Sequence, residues 1–377
     1  MACWNGPRTA HNRGNADGES GIPNPDWLTA AINEWAQISG TTPPTELGDY
    51  SGVGWRDYGA TMECFAALSG GHNGNNSTNR AMALDLTANA PAWAQVKASG
   101  SFSGYDGEVS GYLVDGSPGP RHLYTGIIWW QERGAYLMGG NAWANSGNGN
   151  WLTNDGYIRD SNTWEAAGTY ASRQNALDGN TFFSIRDPAT GTIYLTGDSS
   201  AAGGKKITTS ALTTLASWYS TGGAATSIGG GAFDTSRNVV FQLFSGSYRV
   251  TGDTSTIALT ISTGGTKTAI SFNSSAAWTQ WQANVAKFLS PWLVYDAGRD
   301  CYYWYNGNAG NVTGEAGTIY KITPNGTSTW DMSLISPGGV SPVAHSTGTL
   351  NRFYYASRWN ALLLVVPGQN VYYMRIA

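Results

Sequence analysis

Apolar and polar positions alternate in short runs along this chain, and the runs recur in a fixed order. The order is plainest between Pro120 and Tyr170. PRHLYTGIIWW is apolar and strand-like, QERG is a tight polar turn, and AYLMGG is a second strand ending in glycine. A glycine- and asparagine-rich loop follows, then GYIRD as a third strand and WEAAGTY as a fourth, entered through a tryptophan. Short β-branched and aromatic runs bounded by turn residues predict strands. The one stretch with a helical spacing is Trp27 to Trp35.

The unit repeats. Second strands are predicted to end at Gly71, Gly140, Gly197, Gly246, Gly307 and Gly368, spaced by 69, 57, 49, 61 and 61 residues. Fourth strands are marked by Trp35, Trp93, Trp164, Trp218 and Trp330, at intervals of 58, 71, 54 and 112, the last being two periods. Two independent markers on one beat, with four strands per unit, predict a β-propeller. The tryptophan marker comes first and the glycine marker last. The final unit therefore lacks a fourth strand, and the N-terminal segment has a spare one. Pairing them would remove two exposed sheet edges. The expectation is an all-β, six-bladed propeller over residues 27–377, closed by the N-terminal strand, with residues 1–26 as a surface or attachment segment.

SGGHNGNNSTNRAMALDL followed by a tryptophan strand resembles a kelch repeat, and so does PRHLYTGIIWWQERGAYLMGG followed by NTW. The resemblance covers residues 27–377 in pattern and the first two units in detail. Kelch propellers include galactose-oxidase-like enzymes, surface proteins and binding modules, so the resemblance implies a fold and leaves function open. The copper-radical site of that family needs a cysteine linked to a tyrosine at the channel mouth. Cys64 and Cys301 fall near the opposite turns, and Cys3 lies in the N-terminal tail, so the site does not carry over.

Composition supports the β reading. Gly 50, Trp 17 and Tyr 20 stand against 12% charged residues. A net charge of -4 argues against nucleic-acid or anionic-membrane partners. No apolar run is long enough to span a membrane, and the N-terminus lacks a signal-peptide run. Three cysteines, two of them at equivalent places in non-neighbouring units, point to free thiols.

Propeller topology puts the loops after second strands on one face with the connections between units. The long inserts 72–78, 99–121, 141–155, 199–206 and 306–317 gather there, whereas the other face has hairpin turns such as RDPATG, DTSRN and DAGRD. Function is expected on the insert face. Its candidate ligand-binding residues are His72, Asn73, Tyr105, Tyr112, Arg121, His122, Tyr124, Trp143, Trp151 and His345. Aromatic faces among glycine, serine and asparagine suit sugars or protein contacts. His72, His122 and His345 would fall on adjacent units, where imidazoles bind metal or hold structure.

The preferred reading is a non-catalytic recognition propeller, a virion or cell-surface component binding a host glycan or a partner protein. It would join other particle subunits through residues 1–26 and use no cofactor. It would be made in the cytoplasm and released without a classical leader. Two alternatives stay open. One is a polysaccharide lyase or hydrolase on the insert face, with His122, His345, Tyr124 and Arg121 as acid, base and carboxylate partner. The other is a purely structural particle subunit.

Overall fold

The computed structural model describes residues 23–44, 47, 51–68, 78–103, 111–123, 125–144, 147–170, 182–197, 204–207, 212–215, 230–245, 256–285, 288, 290–307, 317–345 and 348–377. The protein is an all-β propeller. Among the described residues the strands form six sheets. Five are blades contiguous in the chain, where six were expected, and each runs antiparallel from an inner to an outer strand, with Ser271–Phe272 added parallel at the outer edge of the fifth. Their inner strands are Gly54–Tyr58, Ile127–Trp130, Phe182–Arg186, Gly231–Asp234 and Trp292–Asp296. The sixth sheet takes Phe353–Ala356, Ala361–Leu364 and Tyr372–Arg375 from the C-terminal end, and Glu34–Gln37 from the N-terminal end. Trp35 stands opposite Met374 and Gln37 opposite Tyr372, antiparallel. From first sheet to sixth, successive inner strands lie side by side.

Apolar side chains alternate to the two faces of each sheet and fill the spaces between sheets. Phe241 and Leu243 meet Tyr302, Trp304 and Trp330 between the fourth and fifth sheets. Leu28, Ile38, Met62, Cys64 and Leu84 share one core with Trp359, Leu363 and Tyr373, which joins the first sheet to the sixth. Cys64 and Cys301 are buried free thiols, and burial pushes both up.

Two expectations are corrected. Trp27–Trp35 is no helix. It holds a turn at Asp26–Trp27 and the start of the strand at Glu34, and the Trp27 ring packs edge-on against Trp359 and Tyr373 at 5.1 Å. The helix is at Ala276–Asn284, capped by Ser275, whose hydroxyl accepts from the Trp278 amide. It buries Trp281 in the fourth–fifth core. Second, much of the segment 141–155 read as a loop is strand: Ala135–Ala144 and Gly147–Ile158 pair as a long hairpin.

The hairpin-turn face carries arginine pairs between sheets. Arg358 reaches Asp57, Arg159 clamps Glu63 at 2.7 Å, Arg186 pairs with Glu132, and Arg237 grips Asp300 with two bonds of 2.6 Å. Arg299 donates to Tyr355 at 3.0 Å. Bidentate arginine geometry fixes direction as well as attraction. These pairs span the sixth–first, first–second, second–third, fourth–fifth and fifth–sixth boundaries.

On the other face Asn351 ties three sheets. Its carbonyl oxygen accepts from the Val53 amide and its Nδ2 donates to the Ile127 carbonyl, both at 2.9 Å. Its own backbone carbonyl accepts from the Trp55 indole. Leu350 and Ser290, which lead into the sixth and fifth inner strands, sit in the left-handed region at φ 51° and 43°. That conformation is costly for residues other than glycine, asparagine and aspartate. Asn351→Ala leaves a buried amide and a buried carbonyl unpaired and should cost about 2–4 kcal/mol, read as a lower denaturant midpoint at unchanged slope.

Tyrosines buried between sheets carry a pH signature. Burial pushes Tyr157 up to about 12, and Tyr136, Tyr302 and Tyr303 rise for the same leading reason. Each resists losing its proton in the fold but loses it near pH 10 when unfolded. The stability they add is whole below about pH 10 and falls as pH climbs through the folded values. Melting temperature should be flat with respect to these groups between pH 7 and about 10 and drop steeply above, together with phenolate absorbance. A phenolate signal rising fully near pH 10 with no loss of fold would contradict this.

Candidate functional site

The second sheet departs from the others at its insert-face end. Its two middle strands have 10 and 12 residues. Beyond the pairing of Ile127 with Met138 the hairpin continues through Gly139–Ala144, about 20 Å of extended chain. Arg121–His122 pairs alongside, with Arg121 opposite Ala142 and His122 opposite Asn141. A register shift between Asn141 and Trp143 bends the strand.

Part of the 99–121 insert folds into a small closed turn. Gly119 donates to the Gly111 carbonyl, Leu113 to Ser117, and Gly116 to Leu113, with Gly116 left-handed at φ 79°. Asp115 accepts from the Ser117 amide at 2.9 Å and hydroxyl at 2.5 Å. Asn79 pins the insert to the first sheet. Its Nδ2 donates to Ser117 and Pro118, and its Oδ1 accepts from Gly100 and Ser99.

Beneath this turn lies a tyrosine, a carboxylate and an arginine. Arg121 is fully buried and donates to Asp155 at 2.6 Å. Its remaining nitrogens reach the Gly119 and Gly111 carbonyls. Asp155 forms a side-chain hydrogen bond with Tyr112, whose hydroxyl also accepts from the Gly168 amide at 3.4 Å. Burial raises Tyr112 above its ordinary value, and the Asp155 charge and hydrogen bond raise it further. The half-buried phenol is thus held protonated, its hydroxyl engaged with the Asp155 side chain.

A second group of the same kind lies across the strand. Glu165 takes bonds from Arg133 and Tyr170, and the Arg133 guanidinium lies over the Tyr170 ring at 5.2 Å. A Cβ at Gly156 would collide with the Glu165 carboxylate. Asp155 and Gly156 are successive strand residues, so the two carboxylates occupy opposite faces of the sheet.

The second sheet brings Tyr112 and Arg121 together in side-chain detail, and places the backbones of His122, Trp143 and Trp151 on the same extension. His72, Asn73, Tyr105 and Tyr124 lie outside the described residues. His345 is elsewhere, half-buried at the fifth–sixth boundary, where its amide donates to the Gly307 carbonyl. Arg121 is fully buried, held by Asp155 and by the Gly119 and Gly111 carbonyls. Among the described residues no three His, Cys, Asp or Glu side chains group to hold a metal ion, and no helix is long and apolar enough to cross a membrane. The sequence puts Asp155 among several insert-face carboxylates without pairing it to Tyr112, and does not mark Gly168, because they stand 43 and 56 residues from Tyr112 and no local spacing connects them.

No protein-family model, kelch-repeat models included, matches the sequence, and no curated protein sequence matches it. Solved structures are similar in fold. An α-L-arabinanase from Penicillium chrysogenum, complexed with arabinobiose, is 11% identical over 91% of this chain and 98% of its own, with a TM-score of 0.47. An α-L-arabinofuranosidase from Fusarium graminearum is 11% identical over 90% and 97%, also at 0.47. A gluconolactonase from Xanthomonas campestris is 8% identical over 91% and 89%, at 0.46. The likeness is one of fold. The expectation of a recognition module without chemistry is corrected to this extent: the solved structures of similar fold are named as an arabinanase, an arabinofuranosidase and a gluconolactonase. The enzymatic alternative is carried forward. The particle setting gains nothing from them.

Proposed function

We propose that the protein is an enzyme that cleaves glycosidic linkages of a polysaccharide at the insert-face end of the second sheet. The observation that carries the reading is the Tyr112–Asp155–Arg121 arrangement. A phenol is kept protonated by burial and by a carboxylate, and that carboxylate is fixed by a fully buried arginine. Tyr112 is the general acid, Asp155 orients it, and Arg121 positions Asp155. The extension bearing Trp143 and Trp151 supplies the surface along which a sugar chain would lie.

We also infer that the sheet shared by the two ends is a sixth blade that closes the ring. The pairing of Glu34–Gln37 with Tyr372–Arg375, the stacking of Trp55 on Tyr354 at 5.2 Å, and the Asn351 ties support this. The test of function is incubation with a panel of polysaccharides followed by size-exclusion. Shortened chains with the wild type and intact chains with Tyr112→Phe are expected. Intact chains throughout would refute the enzymatic reading.

A further inference from the structure

Tyr112 is held at both ends. Its hydroxyl is engaged by Asp155 on the second sheet and by the Gly168 amide beyond that sheet's outer strand. Its backbone belongs to the small closed turn. Tyr112 bridges Pro118 across that turn, and the Leu113–Ser117 and Gly119–Gly111 bonds close it on either side. Asn79 joins the turn to the first sheet. It stands two residues before the strand Ala81–Asp85 and is 1% exposed. Its Nδ2 donates to the Ser117 hydroxyl at 2.8 Å and to the Pro118 carbonyl at 3.1 Å. Its Oδ1 accepts from the Gly100 amide at 2.7 Å and from the Ser99 hydroxyl at 3.0 Å, where the chain has left the strand Trp93–Lys97. Both donors and both acceptor positions of the amide are therefore used. Gly100 lies against the turn as well: a Cβ there would meet Asp115 and Leu113 at 2.9 Å.

We propose that Asn79 is a positioning residue for Tyr112, setting from the first sheet where the phenol meets Asp155 on the second. This rests on the reading of Tyr112 as the proton donor. A donor must stand within about 2.6–3.2 Å of the oxygen it serves, and a misplacement of about 1 Å can cost about 10²-fold in rate. The bond to Asp155 fixes the hydroxyl's partner but leaves the ring free to swing about it. With Pro118 pinned by Asn79, the backbone of Tyr112 is fixed too, and the ring keeps one direction. Asn79 is spent on the turn and does not meet the reacting atoms. Its two ends do different work. The oxygen secures the exit of the first sheet's outer strand, and the nitrogen secures the leg of the turn opposite Tyr112. Asn79→Asp keeps the first and loses the second, because it sets an acceptor oxygen against the Pro118 carbonyl.

The experiment compares full-length Asn79→Asp and Asn79→Ala with the wild type and with Asn360→Ala, which loses two hydrogen bonds on the hairpin-turn face of the sixth sheet. Asn79→Asp keeps the test open where Asn79→Ala, with the Gly100 amide unpaired, fails to fold. One readout is the NMR signal of the Tyr112 Cζ carbon in tyrosine-labelled protein, assigned by its loss in Tyr112→Phe. The other is kcat and KM on whichever of arabinan, galactan, polygalacturonate and alginate the wild type shortens. The expected result is a Tyr112 signal displaced in the Asn79 variants and in place in Asn360→Ala, with kcat about 10²-fold lower at unchanged KM. A signal that stays in place in Asn79→Asp, or that moves as far in Asn360→Ala, overturns the proposal. A raised KM with kcat intact overturns it too. If the wild type shortens none of the polymers while the signal moves as expected, the positioning stands and the glycosidic reading of the site fails.

Discussion

A chain lacking residues 1–40 is expected not to fold, whereas one lacking residues 1–20 melts where the full chain does. The described ties to the propeller begin just beyond the shorter cut. The Asp26 amide donates to Asn89, the Trp27 indole to the Leu86 carbonyl, and the Thr29 and Ala30 amides to the Tyr373 hydroxyl. Trp35 is almost fully buried and donates to the Gly317 carbonyl at 2.8 Å, so one residue of the sixth sheet is fastened to the fifth. Removing a buried tryptophan side chain alone costs about 3–5 kcal/mol. The longer cut also removes Leu28 and Ile38 from the core shared by the first and sixth sheets and bares the edge of Tyr372–Arg375. Those losses together match the whole stability of a typical domain, about 5–15 kcal/mol. Circular dichroism and size-exclusion of the two fragments decide the matter. A stable, monomeric 41–377 chain would refute this account.

Tyr112→Phe is expected to lower turnover by about 10²–10⁴-fold, the usual worth of a positioned proton donor, with little change in melting temperature, because only a half-buried hydroxyl is lost. Asp155→Asn should behave differently. It strips the fully buried Arg121 of its counter-charge, and leaving a buried charge unpaired costs about 3–5 kcal/mol. The first variant is thus folded and slow, the second unstable. The pH profile adds a sign. The acid must hold its proton, and both burial and Asp155 raise Tyr112 above its ordinary value. Turnover should therefore not fall on Tyr112's account until pH exceeds about 10. Loss of turnover near pH 7 that vanishes in Tyr112→Phe would count against the assignment.

The fold was legible because its markers are local. Trp93, Trp164 and Trp330 each sit in an outer strand of a sheet, and Trp35 in the strand added from the N-terminal end. The short hairpin turns were equally plain, since Asp234 and Asp296 bond the amides two and three residues on. What failed was also local in cause. Glycine and asparagine between Asn141 and Asp155 read as a loop, yet neighbouring strands override weak propensity and the segment pairs as a hairpin. The helix Ala276–Asn284 is short, and its buried positions are only Ala277 and Trp281. The site was half legible. Tyr112 and Arg121 were candidates, but the residue joining them, Asp155, lies 34 positions beyond Arg121 and is brought there by the fold alone.

The shared sheet has a mechanical consequence. Trp35 and Met374 face one another across an antiparallel pair, so the chain leaves the sheet at the same edge from both sides. Tension applied between the two ends would load the backbone bonds one after another, as in a zipper, and not all at once in shear. Once the Asp26 and Trp27 ties to the first sheet give way, the yielding point under force is the seam at Glu34 and Arg375.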